Sequence, residues 1–159
     1  MYFRKYQHIE RLGTSHVDGI LDGVCHVFYK IDGTNASVWL DDDGSIKCGS
    51  RNRVLSLEND NAGFRTYMGT EKGVAIQLFI NKYPHLRLYG EWLVPHSLKT
   101  YTEDAWRKFY IFDVTMDIND EDEEYLPYDT YKEMLDEFGL DYIPPLAIIK
   151  NPNYDDLNR

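Results

Sequence analysis

The sequence predicts an α+β domain, and three observations carry that expectation. Apolar runs rich in β-branched and aromatic residues, bounded by Gly, Asp and Pro, mark strands near residues 24–29, 36–40, 46–48, 86–94, 109–114 and 146–149. Two segments, 71–83 and 127–138, carry apolar residues at helical spacing. The 159 residues, 43% of them apolar, suffice for one modest core, and residues 1–159 read as a single domain.

Residues 1–23 hold Tyr6, Ile9, Leu12, Val17 and Ile20 without firm periodicity, punctuated by Gly13, Gly19 and Gly23. This reads as a short strand or turn, then loop. Two strands follow, around a polar knot, Lys30-Ile31-Asp32-Gly33-Thr34-Asn35. Asp32-Gly33 marks a turn, because glycine takes positive φ without a steric penalty. By itself the knot is a hairpin with an exposed lysine. The alternative is a lysine held against the apolar wall of Phe28, Tyr29 and Ile31, where desolvation disfavours the ammonium and makes the amine nucleophilic.

Asp41-Asp42-Asp43-Gly44 reads as a tight turn rather than a metal site, since Asp favours turns and Gly follows. Residues 54–69 read as a surface loop. Thr70 N-caps the first helix, whose buried side is expected to carry Val74, Ala75, Leu78 and Phe79 and, less regularly, Ile76 and Ile80; Pro84 stops it. Gly90, inside the strand after it, marks a bulge or a place where a ligand comes close. The run Phe109–Val114 suits a central strand. Asp117, Asn119 and Glu121 mimic a calcium loop, but Asp122 stands where Gly is required and Tyr128 where Glu is required, so the acidic run 117–124 reads as a solvated loop. The second helix turns Tyr131, Leu135 and Phe138 to one side and ends at Gly139.

The net charge of −10 is the wrong sign for a protein that grips nucleic acid over its whole surface, so a nucleic-acid role needs a local basic patch. No apolar run reaches the roughly 18 residues that span a membrane, and no secretory leader is evident. Cys25 and Cys48, the only two cysteines, lie in strand-like runs and read as two small buried thiols in a reducing compartment, with a disulfide as the alternative. We expect an intracellular, cytoplasmic monomer.

The knot, Lys-x-Asp-Gly-x-Asn, resembles motif I of the covalent nucleotidyltransferases: ATP-dependent DNA and RNA ligases and mRNA capping enzymes. With Asn35 at its end it looks most like the RNA ligases related to the second phage RNA ligase. Four further pieces follow in the family's order. Ser50-Arg51 resembles motif Ia, Tyr89-Gly90-Glu91-Trp92 motif III, and Phe109-Tyr110-Ile111-Phe112-Asp113 motif IIIa, while Tyr125 through Leu146 resembles the segment after it. The resemblance covers roughly residues 4–150.

It implies an α+β fold in which antiparallel β-sheets hold the nucleotide and helices flank them, a ligase fold similar to ATP-grasp. It implies that Lys30 is the catalytic nucleophile, adenylylated by ATP. Tyr29, Lys30, Ile31, Asn35, Arg51, Glu91 and Phe112 would bind nucleotide, with Phe112 stacked on the base and Arg51 on the ribose or the 5′-phosphate strand. Glu91 would also serve Mg2+ or Mn2+, and Asp32, Gly33 and Asp113 would support the site. The lysine must be neutral to attack. Lowering its pKa from about 10.4 to about 7.5 takes roughly 4 kcal/mol of differential stabilisation, part of which a divalent ion on the phosphates supplies. AMP would then pass to an RNA 5′-phosphate, and a 3′-OH would close the bond. Motif IV, Glu-Gly-apolar-Val, and motif V, Lys-x-Lys, do not occur, so the fold is expected to be incomplete at its C-terminus. A DNA ligase, a capping guanylyltransferase and a nucleotide-binding remnant without turnover are the competing expectations.

Overall fold

The computed structural model describes residues 1–95 and 101–157. They fall into two compact units, one of Met1–Tyr6 with Ile31–Tyr142, the other of Gln7–Lys30 with Ile143–Arg159. Each is described by itself.

The first unit is built on a five-stranded antiparallel sheet. In chain order its strands are β2 (Thr34–Leu40), β3 (Ile46–Gly49), β4 (Leu86–Leu93), β5 (Lys108–Asp117) and β6 (Glu123–Tyr125); in space they run β3-β2-β4-β5-β6. The remaining strands, β1 (Val24–Phe28) and β7 (Pro145–Lys150), form a separate antiparallel ribbon in the second unit. The knot is therefore not a hairpin turn. It links strands of two different sheets, and Gly33 is not at positive φ.

The four-residue α1 (Phe64–Tyr67), α2 (Glu71–Lys82) and α3 (Tyr128–Glu137) belong to the first unit. Phe64 is fully buried, with Met68 and Leu55 close to it in burial, so residues 54–69 are part of the core rather than a surface loop. The Thr70 side chain accepts from the Gly73 amide, as an N-cap should. The buried side of α2 is Gly73, Ile76, Phe79 and Ile80, while Val74 and Leu78 are exposed. The cause is Gly73: a Cβ there would lie 2.2 Å from the Met68 carbonyl oxygen, so the helix presses its glycine against the chain that enters it. On α3, Tyr131 and Leu135 are buried, and Gly139 follows at φ 64° as the expected cap. In the second unit, α4 is one turn, Tyr154–Leu157.

One face of the sheet carries Ala36 and Val38, Leu88 and Trp92, and Phe109, Ile111 and Val114 into a core shared with α2. Alternation then places Asn35 and Ser37 of β2 and Tyr89 and Glu91 of β4 on the other face. Met1–Tyr6 lies over this second face. Phe3 packs on Trp39 at 5.8 Å, Tyr6 on Tyr89 at 5.0 Å, and buried Arg87 donates to the Tyr2 carbonyl at 2.6 Å. The N-terminal stretch makes no strand; among residues 1–23 the regular structure is one 3-10 turn, Ser15–Val17.

The acidic run is less loop than expected. β5 extends to Asp117 and β6 begins at Glu123, with Ile118 and Asn119 amides donating to Asp122 across the turn. The three aspartates do form a turn: Lys47 bridges Asp41 and Asp43, and Gly44 takes φ 83°. Among the described residues no group of three or more His, Cys, Asp or Glu could hold a metal ion, and no helix is long and apolar enough to cross a membrane. Cys25 and Cys48 are free, Cys48 buried and Cys25 half-buried.

Candidate active site

In the first unit, four of the expected residues meet at the start of β2. Asn35 is the cross-strand partner of Glu91, and Gly33 lies two residues before it. The Gly33 amide donates to Glu91 Oε2 at 3.0 Å. A Cβ on Gly33 would fall 2.5 Å from the Trp92 carbonyl oxygen and 3.4 Å from Glu91 Oε2. Glycine is needed here for close approach of two backbones, not for a turn. The preceding amide, that of exposed Asp32, donates to the Tyr101 hydroxyl at 3.0 Å. Two successive amides of the knot are thus held by side chains from outside it. Ile31, just before them, is half-buried.

A loop closes on the same end of the sheet. Asn61, Ala62 and Gly63 all take positive φ before α1 begins. The Trp92 indole N–H donates to the Ala62 carbonyl at 3.0 Å, and Asn61 Nδ2 to the Asn35 carbonyl at 3.4 Å. For Asn61 and Ala62 this conformation is unfavourable, so those contacts hold it in place.

Phe112 and Asp113 sit at a bulge. Tyr89 pairs with Asp113 but Gly90 pairs with Ile111, which leaves Phe112 as the additional residue on β5. The bulge takes Phe112 out of the helix-side core that Phe109, Ile111 and Val114 share, and leaves it half-buried. Gly90 is required opposite it, because a Cβ there would meet the Tyr110 carbonyl oxygen at 2.4 Å and the Phe109 ring at 2.5 Å. Tyr6 stands edge-on to Phe112, ring centroids 5.0 Å apart, and its hydroxyl donates to Asp113 Oδ2. The Tyr131 hydroxyl donates to the Phe112 carbonyl at 3.1 Å. Burial raises the Asp113 pKa from 3.8 to about 6; the Tyr6 hydrogen bond opposes that rise and the charge of Glu123 adds to it. Arg51 lies exposed in the bend after β3.

In the second unit, β1 ends at Phe28, and Tyr29 and Lys30 follow it outside the strand. His26 and Phe28 stack at 6.3 Å along one side of β1. Tyr29 is 63% exposed and Lys30 is also exposed, so the apolar wall expected to desolvate the lysine does not bury it. The reason lies in the ribbon itself: β1 pairs with β7 in a two-stranded sheet, and Tyr29 and Lys30 lie past the end of β1.

Tyr101 and Tyr6 were not singled out as site residues from the sequence, and the loop 59–63 was read as surface. Tyr101 is separated from the knot by 69 positions, and nothing in the intervening pattern links them. Tyr6 lay in a stretch without periodicity, and the positive φ of Ala62 is not a property that alanine advertises.

Comparison with known proteins bears on the family and the fold. The family model described as RNA ligase matches residues 24–157. An archaeal ATP-dependent RNA ligase structure is similar with a TM-score of 0.69 and 18% identity, covering 94% of this chain and 38% of that one. A Naegleria gruberi RNA ligase with pyrophosphate is similar with a TM-score of 0.61 and 21% identity, over 84% of this chain and 40% of that one. A variant of the same ligase with ATP and manganese gives a TM-score of 0.61 and 19% identity, over 82% and 38%. At these identities the likeness is one of fold, and the chain spans about two fifths of the length of those ligases. No curated relative matches by sequence. The match of the family model over most of the chain, on an antiparallel α+β fold of the same kind, makes this protein a member of the RNA ligase family.

Proposed function

We propose that this chain, as one adenylyltransferase domain, carries the nucleotidyl-transfer chemistry of ATP-dependent RNA ligation. The observation that carries the proposal is the cluster at the start of β2: Asn35 and Glu91 in register, with Glu91 holding the Gly33 amide of the lysine-bearing knot. Neutral Lys30 Nζ attacks the α-phosphorus of ATP. The N–P bond forms, the bond from Pα to the bridging oxygen breaks, pyrophosphate leaves and the amine proton passes to solvent. AMP, held as a phosphoramide, is then transferred to an RNA 5′-phosphate, and attack by a 3′-OH releases it.

The residues fit these tasks by type. Glu91 is an acceptor on a rigid strand, suited to a ribose hydroxyl. Asn35 donates to a phosphate or ribose oxygen. Arg51, exposed, offers a planar fork to phosphate. Phe112 offers a ring face to the base. A magnesium or manganese ion fits a site with one nearby carboxylate, since such an ion draws most of its shell from phosphates and water. Bound there, it would offset charge on the phosphates.

These 159 residues contain neither Glu-Gly-apolar-Val nor Lys-x-Lys. That favours a second, narrower reading: nucleotide binding with slow lysine adenylylation and no sealing unaided. Electrophoresis after incubation with α-labelled ATP and magnesium tests the proposal. The expected result is a protein-bound AMP that hydroxylamine releases, as a phosphoramide requires. Absence of any label over days would contradict it.

A further inference from the structure

We infer that Tyr101 is a positioning residue for the lysine-bearing knot; the inference rests on the function proposed above. The Tyr101 hydroxyl accepts the Asp32 amide at 3.0 Å while Glu91 accepts the Gly33 amide at 3.0 Å. Two successive backbone amides, just after the nucleophile in the sequence, are therefore fixed by two separate supports. Glu91 is carried by β4. Tyr101 is carried by a short segment leading into β5, where its ring stands edge-on to Trp106 at 5.4 Å and the 3-10 turn Glu103–Ala105 intervenes. That segment is itself anchored: the Arg107 amide donates to the Leu93 carbonyl at 2.6 Å, and the Tyr110 hydroxyl to the Ala105 carbonyl at 2.9 Å.

The Glu91 bond and the β2–β4 ladder hold the knot from Gly33 onward. Adding the Asp32 bond fixes the peptide planes on both sides of Asp32, from which the chain leads back through Ile31 to Lys30. In-line attack on phosphorus tolerates little misplacement, and displacements of about 1 Å cost up to a hundredfold in rate. Asp32 is exposed, so its amide finds water when Tyr101 is lost and the fold survives. Tyr101 thus contributes through geometry and not by touching nucleotide.

The test is Tyr101→Phe in the full chain, which keeps the ring against Trp106 and removes only the hydroxyl. Single-turnover AMP uptake, followed by intact mass, is measured against ATP concentration in both proteins, with thermal midpoint and amide hydrogen exchange beside it. The expected result is faster exchange at Asp32, an unchanged midpoint, and a roughly tenfold lower rate at saturating ATP with the half-saturating ATP concentration unchanged. An unchanged maximal rate overturns the inference, as does a change confined to the half-saturating concentration. If the wild-type chain takes up no AMP at all, the proposed function fails, and this inference falls with it; the two failures are distinct because the second requires an active wild type.

Discussion

Replacing Gly33 with alanine probes a close backbone approach in the candidate site. The new Cβ would lie 2.5 Å from the Trp92 carbonyl oxygen and 3.1 Å from its carbon. Ordinary contact begins near 3.4 Å, so the knot and β4 must part by about 0.9 Å. Both atoms are backbone, in a strand whose Trp92 pairs with Thr34, so no side-chain rotation relieves the clash. Overpacking of this kind costs about 1–3 kcal/mol. Moving the knot also breaks the Gly33–Glu91 hydrogen bond, worth roughly 1.5–3 kcal/mol because its acceptor is ionised. Together a loss of about 2.5–6 kcal/mol follows, read as a lower urea midpoint at constant slope. AMP uptake should fall with it, under conditions where the variant remains folded. Gly69→Ala is the control, since a Cβ there makes only a 3.4 Å contact with the Thr66 carbonyl oxygen. A Gly33→Ala protein as stable and as readily adenylylated as Gly69→Ala would refute the reasoning.

Phe112→Ala should weaken nucleotide binding by about 1–3 kcal/mol, the worth of stacking a base on an aromatic ring, with unfolding as the stability check; unchanged affinity by calorimetry would remove Phe112 from the site. Asp113, its pKa raised to about 6, contributes stability that is present below pH 3.8 and lost as pH rises through about 6. Asp113→Asn should therefore gain on the wild type by up to about 3 kcal/mol between pH 4 and 7, and a pH-independent difference would contradict the burial argument. The 159 residues alone should adenylylate slowly and leave a 5′-phosphorylated RNA unsealed, because losing one preorganised charge partner typically costs about 10²–10³ in rate; efficient sealing by this chain would show that other residues serve in place of the absent patterns.

Strand positions other than β6 and the end of β5 were legible, because alternation and β-branched composition act locally, whereas the charged run that holds Glu123–Tyr125 shows neither. The helix 71–82 was legible in extent through Thr70 and Pro84, yet its buried side was not. Periodicity ranked Val74 and Leu78 as inward, whereas the backbone contact of Gly73 with Met68 decides the rotation, and that contact is tertiary. The same limit explains the knot. Asp32-Gly33 carries the composition of a hairpin turn, but β1 finds its partner in β7, more than a hundred positions away. The pairing of Asn35 with Glu91 is a fact of register that no local pattern encodes, although both residues were named from the motifs that carry them. For Phe112 the strand pattern and the motif point different ways, core or base, because a run of apolar residues does not reveal the bulge that turns one of them out of the core.

Under the proposed function Lys30 becomes covalently bonded to AMP. Mapping by peptide mass after incubation with ATP and magnesium tests it most directly, at neutral to alkaline pH so that the phosphoramide survives. One AMP is expected on the peptide that contains Lys30, and none anywhere in Lys30→Ala or in Lys30→Arg, whose guanidinium stays protonated and cannot attack. AMP on another residue of the wild type, or undiminished labelling of Lys30→Ala, would contradict it.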